Sequence, residues 1–244
     1  MYLHGRNVLK EILNLDYNLK IKRVIFTDQK NIDNALIKLK NRTEKRYRVD
    51  VLSPQKLYDF SKEKKHQGVV IELREFPFCN YEEILQQNKK KKNSLLVLLD
   101  QVQDPHNFGA IIRSSVACGA DGIIITERAS SDVSPAVIKV SAGLAFSIKI
   151  SKVTNLRNAL KKIKESDYWI YSAAMNGKSY FDEELQQRSA LIFGNEGQGV
   201  RRLIKESSDE IISIPMKEEV DSLNVAASAA VLLFEYSRQM YKKS

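Results

Sequence analysis

The sequence predicts an α/β protein of two modules, a small one of about seventy residues and a larger one built on a parallel sheet of about six strands. Short apolar or alternating runs take turns with segments whose apolar residues recur at helical spacing. The run from Ser94 through LLVLLD has the length and unbroken apolarity of a strand buried on both faces of a parallel sheet. A lysine tract, NKKKKN at Asn88–Asn93, lies between the halves. We therefore expect modules at residues 1–75 and 94–244, joined by a basic linker over 76–93.

In the first module, Val8, Leu9, Ile12 and Leu13 give Asn7–Leu15 helical spacing, and IKRVIFT at Ile21–Thr27 predicts a strand. Ile32, Leu36 and Leu39 mark a second helix over Ile32–Leu39. Tyr47–Leu52 predicts a strand, after which Ser53 and Pro54 supply an N-cap and a first-turn proline for a short helix. Val69–Leu73 closes the module as a strand. Lys38, Lys40, Arg42, Lys45, Arg46 and Arg48 form its densest basic cluster, suited to phosphate contact through Arg42, Lys45, Arg46 and Arg48, or to an ordinary solvated face.

The linker carries a short helix at Tyr81–Gln86. The second module continues from the Ser94 strand into a polar loop, Asp100–Gly109, and a helix at Ala110–Cys118. Further strands are expected at Gly122–Thr126, Phe146–Ile150, Trp169–Ala173, Ala190–Phe193 and Ile211–Pro215, with helices at Pro135–Ser141 and Leu156–Ile163 between them. The closing helix, Asn224 to about Tyr241, offers Ala226, Ala227, Ala230, Val231 and Phe234 as a small-residue face for the sheet or a second subunit.

The net charge of +9 over 244 residues points toward a polyanionic partner, most often nucleic acid, although a lysine-rich proteome yields the same balance. Cys79 and Cys118, with histidines only at 4, 66 and 106, make neither a zinc quartet nor a disulfide framework. No apolar run approaches the length of a membrane span, so a soluble cytoplasmic protein without metal is expected.

Two loops carry most of the chemical signal. Ala190–Phe193 breaks into Gly194-Asn195-Glu196-Gly197-Gln198-Gly199, whose glycines suggest positive φ or a close approach that admits no Cβ. Ile211–Pro215 runs into Asp221-Ser222-Leu223-Asn224 and the last helix. Loops at strand ends are where α/β proteins place small-molecule sites, and ordinary surface turns are the alternative. No G-x-S-x-G elbow accompanies His106, and the glycine order G-x-x-G-x-G is neither a phosphate loop nor a dinucleotide fingerprint.

Three segments in order resemble the SpoU (TrmH-like) family of RNA ribose 2′-O-methyltransferases of the SPOUT superfamily. They are DPHNFGAIIRSSVACGADGIII, with Asn107, Gly109, Arg113 and Gly119; LIFGNEGQGV; and ISIPMKEEVDSLNVAASAAVLLFEY. The opening MYLHGRNVLKEIL is similar to the ribosomal-protein-like substrate-binding domain of the large-subunit rRNA members. The resemblance implies a deep trefoil knot in the second module and a homodimer. It also implies S-adenosylmethionine held by Gly194, Ile214 and Leu223, with Met216 and Ala226 as neighbours.

It implies, further, 2′-O-methylation of a guanosine ribose in large-subunit (23S) rRNA. The alternatives are tRNA guanosine 2′-O-methylation, or an RNA-binding protein that keeps the fold without the chemistry. Arg113, borrowed from the partner chain, is implied to act at the 2′-hydroxyl. A guanidinium stays protonated, so stabilising charge on the 2′-oxygen suits it better than acting as a base. Asn107 would orient the substrate or Arg113, Glu196 would hold the loop, and Ser222 and Asn224 would hydrogen-bond across the site, although Asn224 also stands where an N-cap belongs.

Overall fold

The structure, a computed structural model, describes residues 1–14, 19–27, 47–61 and 67–242. The helix expected at Ile32–Leu39 and the basic residues Lys38, Lys40, Arg42, Lys45 and Arg46 lie outside the described residues. The chain forms two compact units: Met1–Pro77 with Val133–Ser147, and Phe78–Asp132 with Ile148–Ser244.

The first unit carries β1 (Tyr2–His4), α1 (Arg6–Asn14), β2 (Ile21–Phe26), β3 (Arg48–Val51), α2 (Pro54–Ser61) and β4 (Val69–Leu73). Its sheet runs β1-β4-β2-β3, with β4 antiparallel to both β1 and β2, and β3 parallel to β2. The three-residue β1 is too short to show a period, and it pairs Tyr2–His4 with Val70–Glu72. Val8, Leu9 and Ile12 turn α1 onto the core, and Gln67 Oε1 accepts the Arg6 N–H at its start (2.9 Å). Leu57 of α2 is buried with Ile25 and Val70.

Val133–Ser147, expected in the second module, packs instead with this first unit. It holds α5 (Pro135–Val140) and a 3-10 turn at Leu144–Phe146. Phe146 stacks obliquely on Phe76 at 5.4 Å. Gly143 (φ +89°) comes so close to α1 that a Cβ would stand 3.2 Å from the Val8 Cα. The strand expected at Phe146–Ile150 therefore begins where it should end: Phe146 closes the 3-10 turn, residues 147–149 continue the alternating burial outside any strand, and β7 is Ile150–Val153.

The second unit opens with α3 (Tyr81–Gln87) and continues through β5 (Ser94–Asp100), α4 (Pro105–Ala117), β6 (Gly122–Thr126), β7, α6 (Leu156–Lys164) and β8 (Trp169–Ser179). It closes with β9 (Arg188–Gly194), α7 (Arg202–Lys205), β10 (Glu210–Ser213) and α8 (Val225–Lys242). Six strands in the order β10-β8-β9-β5-β6-β7 pair in parallel throughout. Every residue of β5 is buried, as its apolar run requires. Leu156, Ala159, Leu160 and Ile163 of α6 pack with Leu96, Leu98, Ile124 and Ile192.

From β5 the chain builds outward through β6 to β7, then crosses to lay β8, β9 and β10 on the other side. The order reverses between β5 and β9, and the crevice at their carboxyl ends is the usual ligand position in such sheets. On α8 the buried face is Val225, Ala229, Leu232, Leu233, Tyr236 and Met240, at spacings of a single helical stripe. The small-residue face expected to pack lies beside it, with Phe234 49% exposed. Among the described residues no helix is long and apolar enough to cross a membrane.

Glu72 on β4 faces Arg23 of β2 and is buried. Burial alone would raise its carboxyl, but hydrogen bonds from Lys22 Nζ (2.8 Å) and Arg23 Nε (2.7 Å) outweigh that and hold it below the ordinary carboxylate value. A carboxyl lowered in the folded state lends stability above its unfolded value of about 4.3, and that stability is lost as pH falls through the folded value. The only tryptophan, Trp169, lies in the second unit, so unfolding seen by far-UV circular dichroism but not by fluorescence reports the first. The urea midpoint of that component should fall between about pH 5 and pH 3. Glu72→Gln should lower the stability of that component at neutral pH by on the order of 2 kcal/mol and flatten the fall; an equally steep fall in the variant would place the acid sensitivity elsewhere.

Candidate active site at the carboxyl ends of β5, β9 and β10

The first site segment is helical earlier than expected. Asp104 caps α4, its Oδ1 accepting the His106 N–H at 2.9 Å, and Pro105 occupies the first turn. Asn107 therefore stands on the opening turn of α4 rather than in a loop, and it is 8% exposed.

The second segment closes on itself. Asn195 and Gly199 exchange two backbone hydrogen bonds (3.2 and 2.8 Å), and Asn195 Oδ1 accepts the Gly197 N–H at 2.9 Å. Gly194 is pressed against the returning chain, where a Cβ would lie 2.0 Å from the Gly199 carbonyl carbon and the Val200 nitrogen. Gly199 holds φ +67°. These two glycines thus answer to the loop's own closure, not to contact with a ligand.

Three residues that the sequence reasoning passed over lock this loop to the end of β5. Asn195 Nδ2 donates to the Gln101 carbonyl (3.0 Å). Asp100, with no exposed surface, accepts the Arg201 N–H (3.0 Å) and its Nε (2.9 Å), and Arg201 Nη2 stands 2.6 Å away. A carboxylate ending a wholly apolar strand was the available signal, since a buried charge requires a partner.

The third segment reaches the other two through Asn224. Its Oδ1 accepts the Ala226 and Ala227 N–H groups (2.9 and 3.3 Å), capping α8. That leaves its Nδ2 to donate to Asn107 Oδ1 at 2.9 Å, and Asn107 Nδ2 donates to Glu196 Oε1 at 2.9 Å. The carboxylate can only accept and the helix N–H groups can only donate, so both amides have a single consistent orientation. Asn107, Glu196 and Asn224 are thereby joined across separations of 89 and 117 residues.

Beside this chain lies a cavity of about 570 Å³. Gly194, Glu196, Ile214, Met216, Ser222, Leu223 and Asn224 line it; Asn107 reaches it through its two hydrogen bonds. Its outer wall is an irregularity in β8. Pairing with β10 jumps from Ser172–Ile211 to Lys178–Ile212, and Ala173–Asn176, unpaired with β10, face the cavity. Gly177 makes this possible, because a Cβ there would sit 2.5 Å from the Ile211 oxygen.

Two expected residues stand apart. Ala226 does not line the cavity, its N–H being held by Asn224. Arg113 is exposed on α4, six residues and about 120° round the helix from Asn107. It makes no hydrogen bond or ion pair with a described residue and lies outside the cavity lining. Of the basic cluster, Arg48 is described, and its Nε bonds Asp50 Oδ1 at 2.7 Å. Burial pushes the Cys118 thiol up to about 11, which removes it as a nucleophile at neutral pH. Among the described residues no cluster of His, Cys, Asp or Glu is arranged to hold a metal ion.

The cavity suits S-adenosylmethionine in size and surface. Its wall combines small and apolar side chains such as Ala173, Ala174, Ile214 and Leu223 with the carboxylates of Glu196 and Asp221, surfaces suited to a flat base and to cationic groups. The two kinds of glycine in the loop should respond differently. Gly194→Ala must displace backbone and should cost about 2 kcal/mol or more of second-unit stability, read as Trp169 fluorescence during thermal unfolding. Gly197→Ala meets nothing closer than the Asn195 Oδ1 at 3.5 Å and should stay within about 0.5 kcal/mol.

Comparison with known proteins gives this site a family. The SpoU rRNA Methylase family matches residues 94–234, and the RNA 2′-O ribose methyltransferase substrate-binding family matches residues 2–79. A Borreliella burgdorferi protein described as an uncharacterized tRNA/rRNA methyltransferase is 36% identical over 187 residues, 73% of this chain and 82% of that one. A TrmH family tRNA/rRNA methyltransferase of Staphylococcus saprophyticus is 32% identical over 238 residues, 96% and 94% of the two chains. Among solved structures, the SpoU methyltransferase AviRb from Streptomyces viridochromogenes, in complex with AdoMet, has a TM-score of 0.81 at 24% identity, covering 99% of this chain and 90% of that one. The AdoMet-bound rRNA methyltransferase from Sinorhizobium meliloti has a TM-score of 0.83 at 23% identity, covering 98% and 87%. At these identities the two structures share the fold. The chain belongs to the SpoU methylase family of TrmH-like tRNA/rRNA methyltransferases, a family that uses S-adenosylmethionine.

Proposed function

We propose that this protein transfers a methyl group from S-adenosylmethionine to the ribose 2′-oxygen of a guanosine in large-subunit (23S) rRNA, acting in the cytoplasm as a homodimer. The observation that carries this reading is the Asn224–Asn107–Glu196 chain, which draws three distant segments around one cavity of cofactor size. The match of residues 2–79 to a substrate-binding family supports an RNA role for residues 1–75, with 76–93 as linker and 94–244, apart from the segment 133–147 that packs with the first unit, as the transfer module. An rRNA target is favoured by that added module; tRNA is the second reading, since the relatives' descriptions carry both RNAs. A trefoil knot belongs to this proposal as well, supported by two segments, 194–200 and 214–224, that fold back around the same cavity.

S-adenosylmethionine, when bound, supplies an activated methyl group whose departing thioether is neutral. The chain's task is then to align the 2′-oxygen and to ease loss of its proton. Gly194, Ile214, Met216 and Leu223 would hold the cofactor, and Ala226 would act only by supporting the Asn224 cap. Asn107, with one donor and one acceptor site left, would orient the nucleotide, and the Ser222 hydroxyl, which has no partner among the described residues, would hydrogen-bond it. Arg113 would bind the adjoining phosphate and stabilise charge developing on the 2′-oxygen, the proton leaving to phosphate or water. Its absence from the cavity lining within one chain supports delivery from the partner, for which the partly exposed small-residue face of α8 offers contact area.

Arg113→Ala should abolish methylation of rRNA while calorimetric affinity for S-adenosylmethionine stays within a few-fold. Full activity in the variant would refute the role. Sharing of the site between chains has a separate signature. Mixing Arg113→Ala with Asn224→Ala chains, each inactive alone, should restore about a quarter of wild-type activity, because random pairing makes half the dimers mixed and each mixed dimer keeps one intact site. No restoration would place Arg113 in the cavity of its own chain.

A further inference from the structure

The cavity wall carries three ionisable side chains: Glu196, Asp221 and Lys205. Glu196 is engaged by Asn107. Lys205, at the end of α7, is half-buried, and its ammonium makes no hydrogen bond or ion pair with a described residue. Three carboxylates close to it in sequence or held by its turn are committed to other cations: Glu206 to Arg202 (3.0 Å), Asp209 to Lys164 (2.6 Å) and Asp100 to Arg201 (2.6 Å). Three basic residues thus stand in five positions, and only the one at the cavity is left without an acid.

Its placement is not loose. Ile204 beside it is buried, and the Lys205 N–H bonds the Arg201 carbonyl at 3.0 Å. Arg201 is itself held on the wholly buried Asp100, so the turn that presents Lys205 is tied to the end of β5. A partly desolvated ammonium without a counter-ion calls for an anionic group from a ligand.

Resting on the reading that this cavity takes S-adenosylmethionine, we infer that Lys205 receives the carboxylate of its methionine moiety. That ligand carries a sulfonium, an ammonium and one carboxylate. The wall presents two carboxylates and one ammonium, a matching set of opposite sign. Lys205 is therefore a cofactor-binding residue, specific for the amino-acid end rather than the nucleoside.

The test compares S-adenosylmethionine with decarboxylated S-adenosylmethionine by calorimetry, in wild-type protein, Lys205→Met and Lys205→Arg. Wild type should prefer the carboxylated ligand, and Lys205→Met should shrink that preference about tenfold, the size of a lost charge-assisted contact. Lys205→Arg should keep most of the preference, which separates loss of the contact from loss of folding. An unchanged preference in Lys205→Met overturns the assignment. So does an unchanged preference combined with weaker binding of a short mixed-sequence RNA, which would give Lys205 to an RNA phosphate. Wild-type protein that binds neither small molecule would overturn the cofactor reading itself, and this assignment with it.

Discussion

One buried amide, Asn107, is the hinge on which the site depends. Its two polar ends are held by groups from two other segments, and neither bond is reversible in sense. The α8 N–H groups fix Asn224, Asn224 fixes Asn107, and Asn107 presents its NH₂ to Glu196. A series of hydrogen bonds running one way from a helix terminus to a carboxylate also places negative charge toward the positive end of the helix dipole, so each member strengthens the next. Truncating either partner would leave a polar end of the buried Asn107 amide unpaired.

Around that chain, the sheet supplies what loops alone cannot. The Asp100–Arg201 pair and the Asn195 bond to the Gln101 carbonyl fasten both ends of the glycine loop to the β5–α4 connection. The same connection leads into the turn bearing Asn107. Loop 194–200 and Asn107 are thus referred to one rigid strand, buried along its whole length. A buried carboxylate is a costly way to gain stability, since its desolvation offsets much of the attraction to the partly exposed Arg201. Its return here is positional, because an Arg–carboxylate fork fixes orientation as well as distance.

Much of this architecture is legible in the sequence for simple reasons. LLVLLD can hardly be anything but a strand covered on both faces, and the Leu156–Ile163 stripe needs a sheet to lie on. The start of α4 is a different case. Asp104-Pro105 carries both the cap and the first-turn proline, yet polar neighbours make the pair resemble loop punctuation. Alternation at Phe146–Ile150 misleads because period two marks burial, and Phe146 and Ile148 are buried without belonging to a strand. Asn107, Glu196 and Asn224 can be singled out only by motif order. Their hydrogen bonds span 89 and 117 residues, and no local rule reaches that far. Asp100 and Arg201, 101 residues apart, are beyond it for the same reason, although a carboxylate closing an apolar strand is a standing request for a partner.

The side chains around the cavity fall into two populations. Asn107, Asn195, Asn224, Asp100 and Arg201 are held by hydrogen bonds within the protein and set the frame. Ser222, Asp221 and Lys205 line the same space with no side-chain partner among the described residues, and Arg113 stands exposed on α4 in the same condition. A site designed only for stability would satisfy both sets. Leaving one set unsatisfied at the edge of a rigid frame keeps strong donors and acceptors available without the cost of breaking existing bonds when a ligand arrives. It also separates the effects of substitution. Changes in the frame should lower stability and binding together, whereas changes in the free set should alter recognition with the fold intact.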